Sequence, residues 1–303
     1  MYNGMINIYK EAGFTSHDVV AKLRGILKQK KIGHTGTLDP DAVGVLPICL
    51  GCGTGLCDML TDKSKEYRAE FLLGKITDTQ DISGTVLTEK EVHVSAEQVT
   101  AAIMSFVGEY EQIPPMYSAI KVNGKKLYEL AREGKEIERK ARKVEIKSIE
   151  IEKIDLPVIT IKVYCSKGTY IRTLCHDIGQ QLDCGAVMTK LERIRVGEFN
   201  VEEALTLSQI EEAVKGNTIK EKIIPVDTVF LDLQKVTVQN QYRKLIDNGN
   251  SFYESMIVKI SEKIEYNSGE QVRVYSEEDT FYGIFAYEKE MERFKPVKMF
   301  MEK

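Results

Sequence analysis

The stretch Gly33-His-Thr-Gly-Thr-Leu-Asp-Pro40 gathers a carboxylate, an imidazole and two hydroxyls among residues that break regular structure. Pro40 fixes its own φ and biases Asp39 toward extended backbone, so the carboxylate stands on a stiff turn. An aspartate so placed serves either as a turn or cap residue, or as a nucleophile or general base. Spacing alone leaves both readings open. Other chemical signatures are missing from the chain. It has no Walker A sequence and no His-Glu-x-x-His, and the glycines of Gly51-Cys-Gly-Thr-Gly55 are wrongly spaced for a dinucleotide fingerprint. His17, His34, His93 and His176 are too scattered to suggest a metal site. Cys49 and Cys52 have zinc-like spacing, but their neighbours are apolar and no matching second pair follows. The cysteines therefore read as buried thiols, and no metal is expected.

Several elements must hold this loop. Met5-Ile-Asn-Ile-Tyr9 alternates like a short strand. Ser16 is placed as an N-cap, and Val19, Val20, Leu23, Ile26 and Leu27 predict an amphipathic helix over 17–30. Residues 33–40 then read as a loop displaying polar side chains. Tyr67, Ala69, Phe71 and Leu73 share one face of a strand. Ser95 and Gln98 form a capping-box pattern ahead of a helix carrying Val99, Ala102, Ile103 and Phe106. Residues 144–154 and 158–165 read as strands joined at Pro157. Thr169 to Leu182 reads as a helix with Ile171, Leu174, Cys175, Ile178 and Leu182 inward. After Pro225 come short β-like runs at Val236–Val238, Met256–Ile260, Val272–Tyr275 and Phe281–Tyr287, the pattern of a small β-rich module. A boundary near residue 230 divides the chain into 1–230 and 231–303.

The 303 residues suit two domains, and a hydrophobic content of 43% with 29% charged residues is ordinary for a globular chain. The N-terminus lacks a basic segment followed by a long apolar one, so no secretory signal is read. The longest apolar stretch, Ala42–Leu50, contains Gly44 and Pro47 and is about half a membrane span. A soluble, cytoplasmic protein is expected. The net charge of −4 argues against binding nucleic acid by global attraction. Local distribution differs: Lys121 to Lys147 holds ten Lys and Arg against five Glu. That stretch is either a solvated charged hairpin or an RNA-facing arm.

The loop and its continuation, Ala42-Val-Gly-Val-Leu-Pro-Ile-Cys-Leu-Gly51, resemble the signature motif of the TruB family of tRNA pseudouridine synthases. Further motifs resemble that family in order. They are Gly13-Phe-Thr-Ser16, Lys65-Glu-Tyr-Arg68 with Gly74-Lys-Ile-Thr-Asp-Thr-Gln-Asp-Ile-Ser-Gly84, Gln112-Ile-Pro-Pro-Met-Tyr-Ser-Ala-Ile-Lys-Val-Asn-Gly-Lys-Lys-Leu-Tyr128, Gly168-Thr-Tyr-Ile-Arg-Thr-Leu174, and Leu191-Glu-Arg-Ile-Arg-Val-Gly197. The resemblance covers about residues 5 to 230, and the tail is similar to a PUA domain, a small RNA-binding β-barrel. One departure stands out: the family usually has Lys-Pro where this chain has Lys10-Glu11.

The resemblance implies a mixed α/β (α+β) fold, a largely antiparallel catalytic sheet followed by a small β-barrel-like domain. It implies that Asp39 is the catalytic carboxylate in an isomerisation that needs no cofactor. The C1′–N1 bond of a uridine breaks, the base turns, and C5 takes the place of N1. Asp39 attacks the sugar or the base, or abstracts a proton from C2′. Arg172 is expected to pair with Asp39, Tyr67 to stack on the base, and Leu191 to line the pocket. His34 is expected to fill the vacated space or hold the extruded base open. The basic insertion of about 112–147, with Lys121, Lys125 and Lys126 and with Tyr117 and Tyr128 interleaved, is expected to clamp the tRNA T-stem-loop, whose uridine 55 is the implied target. A monomer needing no protein partner is expected. The alternatives are a noncatalytic tRNA-binding or folding protein on the same scaffold, and a sibling activity guided by partner proteins on ribosomal or small nuclear RNA.

Overall fold

Strand alternation and three well-capped helices build the scaffold, which the computed structural model describes over residues 1–122, 124–258 and 265–301. The chain opens with β1 (Gly4–Lys10), α1 (Ser16–Ile26), β2 (Ile32–His34) and β3 (Val43–Leu50). Short α2 (Cys57–Thr61) leads to β4 (Lys65–Leu73), the hairpin β5 (Lys75–Thr77) and β6 (Val86–Glu89), and α3 (Ala96–Met104). The insertion leaves the end of β7 (Gly108–Gln112) and holds β8 (Lys121–Val122), β9 (Lys125–Lys126) and α4 (Leu127–Arg132). The chain returns through β10 (Arg142–Asp155), β11 (Val158–Cys165), α5 (Ile171–Gln181), β12 (Ala186–Val196), β13 (Phe199–Asn200) and α6 (Leu207–Lys215). The last segment comprises β14 (Gln234–Thr237), α7 (Arg243–Asp247), β15 (Phe252–Tyr253), β16 (Gln271–Tyr275), β17 (Phe281–Glu288) and β18 (Arg293–Met299).

Among the described residues, nine strands form one sheet in the order β1-β3-β12-β4-β11-β10-β7, with β2 beside β3 and β13 beside β12. Its pairings are antiparallel except β3 with β12, which meet in parallel at Glu192↔Val43 and Arg193↔Gly44. The fold is thus mixed α/β with a largely antiparallel core. On β4, Tyr67, Ala69, Phe71 and Leu73 turn inward as the alternation predicts, and pack with Val99, Ile103, Leu174, Cys175 and Ile178 of α3 and α5. Burying this face is the main force that seats α5, since each fully buried Leu or Ile side chain contributes about 1.5–3 kcal/mol.

Two boundaries in the N-terminal helix differ from the sequence reading. The N-cap is Thr15, which exchanges hydrogen bonds with Asp18 in a capping box. Ser16 is diverted from that role, because its hydroxyl accepts the Leu38 N–H at 2.9 Å. The helix also stops at Ile26, since Lys28 takes a left-handed φ of +50°. The Ser95–Gln98 capping box forms as predicted. The pattern 33–40 is not all loop: Gly33 and His34 pair with Cys49 and Ile48 in β2.

Gly44 lies where β3 meets β12, with φ +103° and an added Cβ placed 2.3 Å from the Arg193 carbonyl oxygen. Gly44→Ala is therefore expected to destabilise the fold by about 3 kcal/mol, read as a lowered thermal midpoint. An unchanged midpoint would mean that the β3–β12 pairing opens freely.

The second sheet has the order β14-β16-β17-β18-β15 among the described residues and curls as a half-barrel. The predicted run Met256–Ile260 is no strand where described. Met256 closes a single helical turn and Ile257 makes an isolated bridge to Val238, while residues 259–260 lie outside the described residues. Strand β18 was not foreseen, because Lys295 and Pro296 interrupt its alternation. The two sheets share one apolar cluster that joins Met5, Val45 and Leu56 to Phe230, Ile284 and Phe300.

Candidate active site

The turn carrying Asp39 is braced from below. Lys10 is fully buried, and its ammonium donates to the carbonyls of Glu11 at 3.0 Å, Phe14 at 2.6 Å and Pro40 at 2.8 Å. The Gly13 N–H reaches the same Pro40 carbonyl at 3.0 Å. Segment 10–14 therefore folds as a cradle with Glu11 in place of the family's proline, its carbonyl serving as one of the ammonium's acceptors. Burial pushes the Lys10 amine down to about 8, with Asp39 and Asp41 opposing. Ser16 holds Leu38, and the Ala42 N–H closes the turn on the Asp39 carbonyl at 3.2 Å. Neighbouring Leu38 and Ala42 are buried in the main core, so the carboxylate between them is fixed at both sides.

Arg172, in the first turn of α5, faces Asp39 with two nitrogens. Nε lies 3.0 Å from Oδ2, and Nη2 donates to Oδ1 at 3.3 Å. The guanidinium is itself held by the Thr79 carbonyl at 3.0 Å, the Tyr117 carbonyl at 2.8 Å and Asp81 at 3.3 Å. Only 5% of the Arg172 side chain is exposed, against 40% for Asp39, so the carboxylate keeps an open side. Burial pushes the Asp39 carboxyl up from its ordinary value; Arg172 opposes this most strongly, and Asp81 adds to it. The result is a carboxylate that is oriented by a paired cation yet retains basicity, which is what a nucleophile or base needs.

Asp81 is a residue the sequence reading passed over. Its carboxylate accepts from Thr79 Oγ1 at 2.8 Å and from the Ser83 N–H at 3.1 Å, which locks the 78–84 turn against Arg172. The dense run of Thr77, Thr79, Asp81 and Ser83 was the available signal, because short polar side chains at alternate positions build self-bonded turns.

Strands β4 and β12 contribute to the same core that flanks Asp39. Tyr67 and Leu191 are each 9% exposed and pack in the same cluster as Leu38 and Ala42. Arg193 stands opposite Tyr67 in the β4–β12 register and is almost completely buried. Its Nε donates to the Val45 carbonyl at 2.7 Å and Nη2 to the Gly36 carbonyl at 3.3 Å, and it hydrogen-bonds the Tyr67 hydroxyl. Burial pushes the Tyr67 phenol up, with Arg193 opposing. Arg193 was also missed, although it lies two residues beyond Leu191 and so on the same strand face.

His34 ends β2 beside the turn. Its Nδ1 accepts the Gly36 N–H at 3.3 Å, and the His17 ring meets it edge-on with centroids 5.1 Å apart. Burial, then the neighbouring His17 and Arg193, push the imidazole down, so its neutral form is favoured.

Arg172 is thus brought onto Asp39 and Tyr67 lies within reach of the Asp39 charge, while Leu191 belongs to the core cluster that also holds Leu38 and Ala42, and His34 lies five residues before Asp39. The lysines stand apart on the insertion. Lys121 pairs with Lys126 across the β8–β9 hairpin, Lys125 bonds Glu133 at 3.2 Å, and the Lys126 ammonium lies 5.3 Å from the Tyr128 ring centre. Among the described residues, no three His, Cys, Asp or Glu side chains converge as a metal site. Cys49 is buried and hydrogen-bonded to the Cys57 thiol.

Comparison with known proteins bears on this arrangement. Residues 24–171 match the model of the TruB family pseudouridylate synthase N-terminal domain, and residues 172–231 match that of the tRNA pseudouridylate synthase B C-terminal domain. The chain is 52% identical to tRNA pseudouridine synthase B of Lachnoclostridium phytofermentans, covering 99% of this chain and 100% of that protein. It is 46% identical to the protein of that name from Alkaliphilus oremlandii, covering 99% of each. Among solved structures, a Cbf5–Nop10–Gar1 complex contains a chain that aligns over 98% of this one and 85% of its own length, with a TM-score of 0.70 and 28% identity. A chain of an H/ACA ribonucleoprotein bound to a substrate RNA containing 2′-deoxyuridine aligns over 98% of this chain and 85% of its own, with a TM-score of 0.69 and 26% identity.

Proposed function

This chain belongs to the TruB family of pseudouridylate synthases, and from that premise we propose that it is the tRNA pseudouridine synthase that isomerises the T-loop uridine at position 55. The observation that supports this reading best is the two-pronged Arg172–Asp39 pair, set on a braced turn whose flanking Leu38 and Ala42 share a core with Tyr67 and Leu191. In this reading Asp39 is the catalytic carboxylate. Attack on the sugar, attack on the base and removal of the C2′ proton all begin from its ionised form. The isomerisation conserves every atom: C1′–N1 breaks, C1′–C5 forms, and the hydrogen lost from C5 is balanced by one gained at N1.

Tyr67 presents a ring to the extruded base, and its hydroxyl is kept in place by Arg193. Neutral His34, beside the turn, is placed to fill the gap the base leaves, which offsets part of the few kcal/mol that unstacking costs. The insertion supplies phosphate contacts through Lys121, Lys125 and Lys126, and the C-terminal half-barrel, residues 231–303, adds contacts further along the tRNA.

The test of activity is conversion of an unmodified tRNA transcript by the purified protein, with pseudouridine mapped by chemical labelling. Modification confined to the T-loop uridine is the expected result. Tight binding with no conversion would leave the noncatalytic alternative standing.

The three lysines have their own signature. Replacing Lys121, Lys125 and Lys126 together with Ala is expected to weaken tRNA binding and to flatten the plot of log affinity against log salt by about one unit for each phosphate no longer neutralised. A weakened affinity with an unchanged salt slope would assign the hairpin a shape role and not a phosphate role.

A further inference from the structure

Gln112 is the last residue of β7, where the insertion leaves the main sheet, and only 1% of it is exposed. Its side-chain amide forms a reciprocal pair with the backbone of Tyr170. Gln112 Nε2 donates to the Tyr170 carbonyl at 3.0 Å, and the Tyr170 N–H donates to Gln112 Oε1 at 2.8 Å. Tyr170 is the N-cap of α5 and makes no side-chain capping bond of its own. It lies two residues before Arg172. On the other side, Arg172 reaches back to the insertion and donates to the Tyr117 carbonyl at 2.8 Å. Gln112 also faces Arg142 in the β7–β10 register, where the insertion re-enters the sheet. One buried amide therefore touches the root of the insertion and the start of the helix that carries Arg172.

We propose that Gln112 is a positioning residue that couples docking of the insertion on RNA to alignment of the Arg172–Asp39 pair. The proposal rests on the synthase reading above. The Tyr170 N–H has its partner on this one side chain, while the Tyr170 carbonyl accepts from both Gln112 and the Leu174 N–H, the latter at 3.0 Å, so removing the amide leaves the donor unpaired and the carbonyl with its helix bond alone. The first turn of α5 then has freedom that the catalytic pair cannot tolerate, since a misplacement of about 1 Å costs on the order of 100-fold in rate. The binding energy of the insertion is no longer spent on alignment, so the loss falls on the rate at saturation and not on affinity.

The charged and titratable groups around Gln112 are Tyr110, which is hydrogen-bonded both to Asp177 and to Gln112 itself, then Asp177, Tyr170, Arg142 and Arg172. All five remain in the variants below.

The experiment measures single-turnover conversion at saturating tRNA, tRNA affinity and thermal midpoint for the wild type, Gln112→Ala and Gln112→Glu. Gln112→Ala is expected to lose roughly 10- to 100-fold in rate with affinity within a few-fold of wild type. Gln112→Glu keeps the acceptor for the Tyr170 N–H and regains a donor for the Tyr170 carbonyl only when protonated. Its rate relative to wild type is expected to rise as pH falls, at temperatures well below both midpoints. That ratio removes the Asp39 titration the two proteins share, and measuring affinity and thermal midpoint over the same pH range separates lost alignment from lost structure. Should Gln112→Ala fail to fold, the Gln112→Glu ratio carries the test alone. A wild-type rate in Gln112→Ala, a loss confined to affinity, or a flat ratio overturns the proposal. A wild type inactive on tRNA overturns the synthase reading itself.

Discussion

Asp39→Asn is expected to abolish pseudouridine formation, lowering the single-turnover rate by roughly 10⁴-fold or more, with tRNA affinity within a few-fold of wild type. The amide has the same shape and leaves the turn's braces from Lys10, Gly13 and Ser16 untouched. What it removes is the negative charge and the lone pair that attack or proton abstraction requires, together with one of the two acceptors that face Arg172. The electrostatics add a second expectation. Burial raises the Asp39 carboxyl above the ordinary 3.8, against the pull of Arg172. A carboxyl raised in the folded state binds its proton more tightly there than in the unfolded chain. It favours the fold at low pH, and that contribution is lost as pH rises through the window from the unfolded to the raised folded value. At neutral pH the ionised group burdens the fold, so Asp39→Asn, which resembles the neutral acid, is expected to melt no lower than wild type. The acid limb of the wild-type rate profile should likewise lie above 3.8. Substantial conversion by the Asn variant would remove Asp39 from the chemistry, and a much lower melting point would show that its charge supports the fold.

Arg172→Lys is expected to cost about 10²-fold in rate, although the charge is kept. The guanidinium meets Asp39 through two nitrogens and also satisfies Asp81 and the carbonyls of Thr79 and Tyr117. An ammonium is a point charge that cannot occupy all of these positions in one plane. Arg172→Ala goes further. With the largest influence opposing the burial of Asp39 gone, the acid limb of the rate profile should move to higher pH than in wild type. Rates for Arg172→Lys within a few-fold of wild type would mean that charge alone suffices. An unmoved limb in Arg172→Ala would mean that the guanidinium does not set the ionisation of Asp39.

Much of the scaffold was readable because one face of each element is apolar. The inward set on β4 and the apolar face of α5 follow from periods of two and of 3.6. The placement of Asp39 before a proline was readable too, but its partner lies 133 positions along the chain, and local pattern says nothing of such pairings. Asp81 and Arg193 were missed for related reasons. Asp81 looks like a turn residue because it is one, and its second oxygen reaches Arg172 only in the fold. Arg193 is a cation sealed in a core, against the expectation that arginine stays at the surface. Thr15 and Ser16 show how a tertiary contact decides between two equally good caps, since the Leu38 N–H claims one of the hydroxyls.

The aromatic seam between the two sheets has a bearing on how an RNA is measured. Phe281 and Phe300 stack at the junction with Phe230 tilted against both, within a cluster that also takes in Met5 and Val45 from the main sheet and Leu56 just beyond β3. A joint made of core cannot slide without wetting those rings and losing close packing. The half-barrel therefore does not ride on a swivel. It stands at a set distance and angle from the turn that carries Asp39, like the far jaw of a locked calliper. An RNA that engages both jaws must match that span with its own folded dimensions. The same loop sequence mounted on a stem of the wrong reach can touch one jaw only.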